Sequence, residues 1–224
     1  MKHNMGNKLN KTKTLCELWI KPNTVDQGIN MIRLLIRMGY NIICIESSND
    51  IFLELKKQAE KQSIQLLKRI TVTSATDSEG KNKLRGIRTK HHIVSFNPIG
   101  LSAARLAARD TRVDTILFTL HSCTYIDKTQ LKMMIKNNKT LEIPLKEVVN
   151  NIHNYKFISK LKKTLKIAEK LDLSIVVSSA SETIFELWHP LHKISILRLL
   201  GLSEAKSLST IINTPHALIS KVLK

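Results

Sequence analysis

Histidine pairs are the first places where this sequence of 224 residues could hold a metal ion. His91 and His92 are adjacent, so in the strand that we predict there their side chains point to opposite faces. His189 and His192 stand on either side of Pro190 and could share one face of a helix. Because a structural or solvated role is commoner for such pairs than a ligand role, we expect no metal site.

Glu46 and His121 are the polar residues best placed for catalysis. Both stand near the carboxyl ends of predicted strands, where barrel enzymes keep their active sites. Two residues do not make an active site, and a capping or RNA-facing role fits them equally well. The sequence also has no GxGxxG or Walker motif and only seven glycines for a phosphate-binding loop. We therefore predict no catalytic residue and no protein-bound cofactor.

Cations dominate the composition. The formal net charge is +18, from 36 Lys and Arg against 18 Asp and Glu, which favours a polyanionic partner and nucleic acid first. A generally lysine-rich proteome is the alternative explanation. Aromatic residues make up 4% of the chain, so we expect contact with the phosphate backbone of a structured RNA rather than base stacking.

One stretch concentrates this charge. Residues 81–109 contain no acid and seven cations: Lys81, Lys83, Arg85, Arg88, Lys90, Arg105 and Arg109. We predict that these residues, together with Arg112 and His121, bind RNA, although a solvated side chain is the alternative for any single lysine.

Residues 81–90 lie between two predicted strands and should project as a loop. On that interpretation, replacing Lys83, Arg85 and Arg88 weakens RNA binding and leaves stability unchanged. If this loop is merely solvated, the lysine-rich helix from Tyr155 to Leu171 is the better candidate.

The elements that must position these residues alternate strand with helix. A compact apolar run from Val113 to Phe118 predicts a buried strand. The predicted strands are residues 14–20, 41–46, 64–73, 91–96, 112–118, 141–145 and 174–178. Predicted helices separate them, and three more follow, over 187–200, 203–212 and 215–223. This order predicts an irregular TIM-like β/α barrel with about seven strands and a helical C-terminal tail. An open doubly wound sheet is the alternative.

Length and hydrophobic content favour a single domain over residues 14–224. Residues 1–13 carry four lysines and no acid, and we expect them to form a disordered basic arm. No apolar run approaches the roughly 20 residues that span a bilayer, and the three cysteines show no metal or disulfide spacing. We therefore expect a cytoplasmic protein.

Four segments carry a resemblance to a known family. RVDTILF, TLEIPL, IVVSSAS and LRLLGLSEAKSLSTIINTP resemble the archaeal ribonuclease P protein component 3 family, whose eukaryotic relatives are subunits of ribonuclease P and ribonuclease MRP. The resemblance implies an irregular barrel, related to the polymerase and histidinol phosphatase phosphoesterases, that helps a catalytic RNA to remove 5′ leaders from precursor tRNA. It also implies that the partners are ribonuclease P RNA, precursor tRNA and ribonuclease P protein component 2, and that the RNA binds the Mg²⁺ of the holoenzyme.

The sequence departs from these relatives at three places. The phosphoesterases carry a His-x-His pair on the first strand, and TLCELWI has none. The family usually has a small residue, often Gly, after its paired serines, where this chain has Ala180 and Ser181. It also has an Arg before the Pro, where this chain has Trp188 and His189. A noncatalytic subunit is the leading hypothesis, and a stand-alone metal-dependent phosphoesterase is the alternative.

Overall fold

The structure is a computed structural model that describes residues 14–60, 62 and 64–223, so the predicted basic arm lies outside the described residues. Seven parallel strands pair in chain order. They are β1 (Leu15–Ile20), β2 (Tyr40–Ile45), β3 (Gln65–Ser74), β4 (Ile93–Pro98), β5 (Thr115–Leu117), β6 (Thr140–Pro144) and β7 (Ile175–Ser178). A parallel bridge between Ile20 and Ser181 joins the two edges beyond the end of β7. The predicted barrel is therefore confirmed, and it is nearly closed.

Helices pack around this barrel. They are α1 (Val25–Arg37), α2 (Asn49–Glu60), α3 (Asp77–Lys83), α4 (Leu101–Arg109), α5 (Lys128–Lys136), α6 (Leu145–Asn150), α7 (Tyr155–Lys170), α8 (Pro190–Leu199), α9 (Glu204–Ile211) and α10 (Asn213–Val222). Local signals set several of their ends. Thr24 caps α1 by accepting from the Gln27 amide at 3.2 Å, and Gly39 follows α1 at a φ of +90°.

Two elements differ from the sequence prediction. The segment expected to form a loop between the third and fourth strands begins with α3, which Thr76 caps by accepting from the Glu79 amide. His91 and His92 precede β4 instead of lying in it, so they do not alternate across a strand. The capping signal was present in the sequence, but the lack of a hydrophobic stripe in so short a helix concealed it.

The barrel interior has an apolar lower half. Inward-facing strand residues cluster at the amino-terminal end of the barrel with two residues of α10: Cys16, Leu18, Ile42, Cys44, Leu67, Ile93, Val176, Leu218 and Ile219. The alternate strand residues face outward and pack against the surrounding helices. The last helix thus fills the amino-terminal end of the barrel, and the carboxyl end is left open.

A buried ion pair spans the middle of the interior. Arg69 of β3 donates to the two carboxylate oxygens of Glu142 of β6 at 2.8 and 3.2 Å, and both side chains are fully buried. Ser95 and Thr115 donate to the same carboxylate at 3.2 and 2.6 Å. Such a pair is stable only because these further donors replace the lost water.

A second polar cluster closes the seam between the first and last strands. The buried Glu17 carboxylate of β1 accepts from the amide and the hydroxyl of Ser179 at 2.9 and 2.7 Å. Lys193 of α8 donates to it at 2.5 Å, and its ammonium group lies 5.1 Å from the centre of the Tyr40 ring. Although burial disfavours the charged form, Glu17 and Tyr40 raise the pKa of Lys193 above its ordinary value. The seam is therefore held by charge as well as by backbone bridging.

Candidate nucleic-acid interface

The predicted RNA-binding stretch does not present all of its cations to solvent. On α3, Lys81 pairs with Asp77 at 2.7 Å and Lys83 pairs with Glu79 at 2.6 Å. Hydrogen bonding from Lys83 is the largest of the effects that lower the pKa of Glu79 to about 2. The two lysines remain about half exposed, but each stands beside a carboxylate that offsets its charge.

Arg88 is engaged more strongly. Its guanidinium donates to both carboxylate oxygens of Asp114 at 2.6 Å and to the His92 carbonyl at 3.0 Å. Asp114 is buried and also accepts from the Val94 amide at 2.8 Å. Arg88 itself is exposed, as the sequence predicted, but its removal would leave a buried carboxylate without its cation, so we expect its replacement to lower stability.

The arginines of α4 and its following turn also have acidic partners. Arg105 donates to both oxygens of Asp127 at 3.1 and 2.7 Å, and Arg109 lies 3.8 Å from Asp77. Arg112 donates to Asp110 at 2.9 and 2.6 Å, which lowers the pKa of that carboxyl group. These cations hold α4 to α5, α3 and the turn before β5.

Arg85 and Lys90 are the members of the predicted stretch for which the described chain shows no ion pair, and both are exposed. Folding brings acids from both flanks onto the other cations. Counting charge within residues 81–109 could not show this, because Asp77, Glu79, Asp110, Asp114 and Asp127 all lie outside that window.

His121 lies elsewhere, at the open carboxyl end of the barrel. Together with Glu46 it lines a cavity of about 460 Å³. Both residues therefore lie at the edge of the barrel at which the sequence predicted them. Glu46 accepts from the Thr71 hydroxyl at 2.7 Å, and Glu147 accepts from the Leu120 amide at 2.9 Å. Within the described residues, no group of three or more His, Cys, Asp or Glu side chains is arranged to hold a metal ion.

The mouth of the barrel carries more negative than positive charge. Its lining contributes the carboxylates of Glu46, Glu147 and Glu182 and the ammonium groups of Lys21 and Lys146. Lys146 pairs with Glu182 at 2.8 Å and with Glu186 at 3.0 Å. A surface with more carboxylates than ammonium groups does not attract a polyanion, so the mouth is a poor phosphate site.

A different surface carries the strongest excess of positive charge. Helices α5 and α7 lie side by side and share a groove of about 330 Å³. Their outer faces carry nine lysines: Lys128, Lys132, Lys136, Lys156, Lys160, Lys162, Lys163, Lys166 and Lys170. We call these residues the lysine surface. None of them forms a salt bridge within the part of the chain that the structure describes.

The acids near the lysine surface are engaged elsewhere. Between Lys128 and Lys170 the sequence has three acids, of which Glu142 lies inside the barrel and Glu147 lies at its mouth. Glu169 accepts from the amide and the hydroxyl of Ser203. Of the nine lysines, Lys160 alone is half-buried, and with Arg105 it contributes to the lowered pKa of Asp127.

Comparison with known proteins adds to this geometry. A family model described as RNase P subunit p30 matches residues 14–223. The chain belongs to the ribonuclease P subunit p30 family. A relative named ribonuclease P protein component 3, from Methanosarcina barkeri (strain Fusaro), is 21% identical over 209 residues, which cover 89% of this chain and 84% of the relative. The resemblance found in the sequence is therefore confirmed.

Two solved structures share the fold. A chain in a cryo-EM structure of archaeal ribonuclease P with mature tRNA is 20% identical, with coverage of 91% of both chains and a TM-score of 0.77. A crystal structure of an uncharacterized protein is 10% identical over 93% of this chain and 74% of its own, with a TM-score of 0.56. At these identities the likeness extends to the barrel and its helices.

The p30 family positions at which this sequence departs have structural roles. Ala180, where relatives often carry Gly, has a φ of +54°, a left-handed conformation that favours glycine. The Trp188 carbonyl accepts from the Tyr40 hydroxyl at 3.0 Å, and the His189 side chain accepts from the Leu191 amide at the start of α8. The contacts of Trp188 and His189 thus stabilise the seam side of this p30 family barrel, whereas Ala180 carries backbone strain.

Proposed function

We propose that the chain is an RNA-binding subunit of ribonuclease P that assists a catalytic RNA in removing 5′ leaders from precursor tRNA. The match of the p30 family model to residues 14–223 carries this proposal. The name of the Methanosarcina relative and the ribonuclease P complex that contains the structural relative support it.

The physical properties of the chain fit binding to RNA backbone. Its net charge of +18 supplies a favourable field, and its few aromatic residues leave little material for base stacking. In this proposal, Arg85 and Lys90 contact phosphates directly. The other predicted cations, including Arg112, contribute although they already pair with carboxylates. His121 contributes from the mouth of the barrel.

We further propose that the chain itself is noncatalytic and that the RNA binds the Mg²⁺ of the holoenzyme. The mouth carboxylates support this, because Glu46, Glu147 and Glu182 are each engaged by a hydrogen bond or ion pair of the protein. A hydrolytic metal site needs carboxylates directed at the ion.

A cytoplasmic location is part of the proposal. The three cysteines are free thiols in the structure, as suits a reducing compartment. No helix in the described part of the chain is long and apolar enough to cross a bilayer.

Reconstitution tests the function. Ribonuclease P RNA from the same genome is combined with the other subunits, with and without this chain, and the release of 5′ leaders from precursor tRNA is measured. We expect the rate at low Mg²⁺ to rise when the chain is present. Equal rates with and without it would overturn the proposal.

A second assay, of the pure chain alone, distinguishes the proposed function from the alternative. The pure chain, freed of RNA, is given precursor tRNA and a simple phosphodiester with Mg²⁺, Mn²⁺ or Zn²⁺. We expect no turnover. Robust turnover that disappears in Glu46→Gln or His121→Ala would establish a metal-dependent phosphoesterase instead.

Ribonuclease P protein component 2 is the proposed protein partner. The 3-10 turn Ile184–Glu186 beyond β7 presents Phe185 with 92% of its surface exposed, the kind of aromatic anchor that interfaces bury. Sedimentation of the mixed proteins should show a complex that Phe185→Ser weakens. Independent sedimentation at micromolar concentrations would exclude this pairing.

A further inference from the structure

We propose that the lysine surface on α5 and α7 is the primary site at which this protein binds the phosphodiester backbone of RNA. The inference rests on the proposed function and deepens it, because it names the surface and the chemical group that the surface recognises. It also moves the principal contact away from the acid-free stretch of residues 81–109.

The cations of the predicted stretch and those of the lysine surface differ in whether they already pair with acids. Six predicted RNA-binding cations already pair with carboxylates: Lys81, Lys83, Arg88, Arg105, Arg109 and Arg112. The nine lysines of α5 and α7 show no salt bridge to any described residue. A cation that is already paired gains less from a phosphate, since it must give up or share its carboxylate. The lysine surface therefore has the larger capacity to neutralise phosphates.

The groove between α5 and α7 has a shape and a lining that suit a phosphate strand. The groove between the helices has lysines on both walls, with Lys128 on α5 and Lys160 and Lys163 on α7. Ile126, Leu131 and Ile167 line it between these charges, and its one acid, Asp127, is already paired with Arg105. Its lining contains no aromatic side chain, so it offers charge without a surface for stacking bases. Such a groove fits a phosphate strand of a structured RNA and reads shape rather than sequence.

The lysine surface is also rigid and long. Helix α7 has 16 residues and is therefore about 24 Å long, and its buried side, with Phe157, Leu161 and Leu165, packs into the largest core cluster. Lysines on a fixed helix lose less backbone freedom on binding than lysines on a loop. A second cleft places Lys162, Lys163 and Lys166 beside Leu199 and Gly201, which extends the surface toward the end of α8.

The test uses three variants of the full chain, each with four cations replaced by Gln. The first changes Lys128, Lys132, Lys163 and Lys166 on the lysine surface. The second changes Lys81, Lys83, Arg85 and Lys90 in the predicted stretch. The third is the control and changes Arg33, Arg37, Lys56 and Lys57 on α1 and α2. All twelve positions are exposed, and each variant lowers the net charge from +18 to +14.

Binding of each variant to ribonuclease P RNA from the same genome, and to a short RNA duplex, is measured over a range of salt concentrations. For the lysine-surface variant we expect affinity to fall at least about tenfold for both RNAs. The slope of log affinity against log salt should fall by about one for each phosphate that the variant no longer neutralises. The control should keep the wild-type slope. Lys and Gln have similar helix propensities, so thermal melting should stay near wild type in all three variants and show that each is folded.

Several results would overturn the inference. One is a lysine-surface variant that keeps the wild-type affinity and salt slope. Another is a larger loss of RNA affinity in the second variant than in the first. The third is an equal loss of affinity in the control, which would show that only net charge matters. Binding of the wild type to anionic phospholipid vesicles but not to the RNA duplex, abolished in the first variant, would assign the surface to a membrane. If the wild-type chain binds no RNA while remaining folded, the proposed function itself fails.

Discussion

Arg88 and Asp114 form a two-pronged ion pair, in which each guanidinium nitrogen lies 2.6 Å from a different oxygen of a carboxylate that is almost fully buried. The arginine comes from the turns after α3, and the aspartate directly precedes β5. The pair therefore fixes part of the segment that the sequence predicted to project as a loop, and it gives Arg88, a candidate RNA contact, a structural role as well.

Replacing Arg88 by Ala should lower the free energy of unfolding by about 2 kcal/mol, because it leaves the Asp114 carboxylate buried without its cation. Urea denaturation at neutral pH measures this. Arg85→Ala, three residues earlier and exposed, is the control and should stay within about 0.5 kcal/mol of wild type. Equal stability of the two variants would contradict the structural role of Arg88.

The ion pair inside the barrel predicts a non-additive mutant cycle. Glu142→Leu leaves Arg69 buried with only the more distant Glu46 carboxylate, 3.9 Å away, and should cost about 3–5 kcal/mol, as should Arg69→Met. The double variant removes both charges, so it should cost clearly less than the sum of the single changes. Additive losses in urea denaturation would show that the two side chains do not stabilise each other.

Asp127 predicts a pH dependence of stability. Hydrogen bonding from Arg105 lowers its pKa, so the folded state holds the ionised carboxylate more strongly than the unfolded state does. The contribution is fully present above the ordinary pKa of about 3.9 and is lost as the pH falls through the lowered value.

Asn caps a helix about as well as Asp, so Asp127→Asn isolates this charge. The wild type should be more stable than the variant at pH 7, and the difference should shrink by pH 3. Urea midpoints at the two pH values measure it, and in an Arg105→Gln background the pH-dependent part should become smaller, because Arg105 is the largest of the effects that lower this pKa. A difference that is the same at both pH values would rule out this linkage.

Ala180 should be improved by glycine. Its φ of +54° costs an L residue about 1 kcal/mol, which glycine avoids, so Ala180→Gly should raise the melting temperature despite the added freedom of the unfolded chain. Ala217→Gly, at an exposed position within α10, is the matched control and should lower it. A lower melting temperature for both variants would mean that the strain at Ala180 is negligible.

The sequence predicted the barrel well because its strands are short buried apolar runs, such as Ile175–Ser178, and because Thr24 and Gly39 mark the ends of a clear helix. The candidate site was harder to predict. Arg88 and Arg105 meet acids that stand 26 and 22 residues further along the chain. No local count of charge reveals such pairs, and periodicity does not tell which lysines of a basic chain are left without partners after folding.

Helix α10 fills the amino-terminal end of the barrel with Leu218 and Ile219, which meet Cys16 and Leu18 of β1. The inner face of β1 is therefore covered by a helix that lies far along the chain, and Glu17 likewise meets Lys193, 176 residues away. Contacts so distant along the chain form slowly, since a long loop must close before they contribute. Until α10 packs into it, the folding barrel exposes an apolar end to water, and during that interval aggregation competes most strongly with folding.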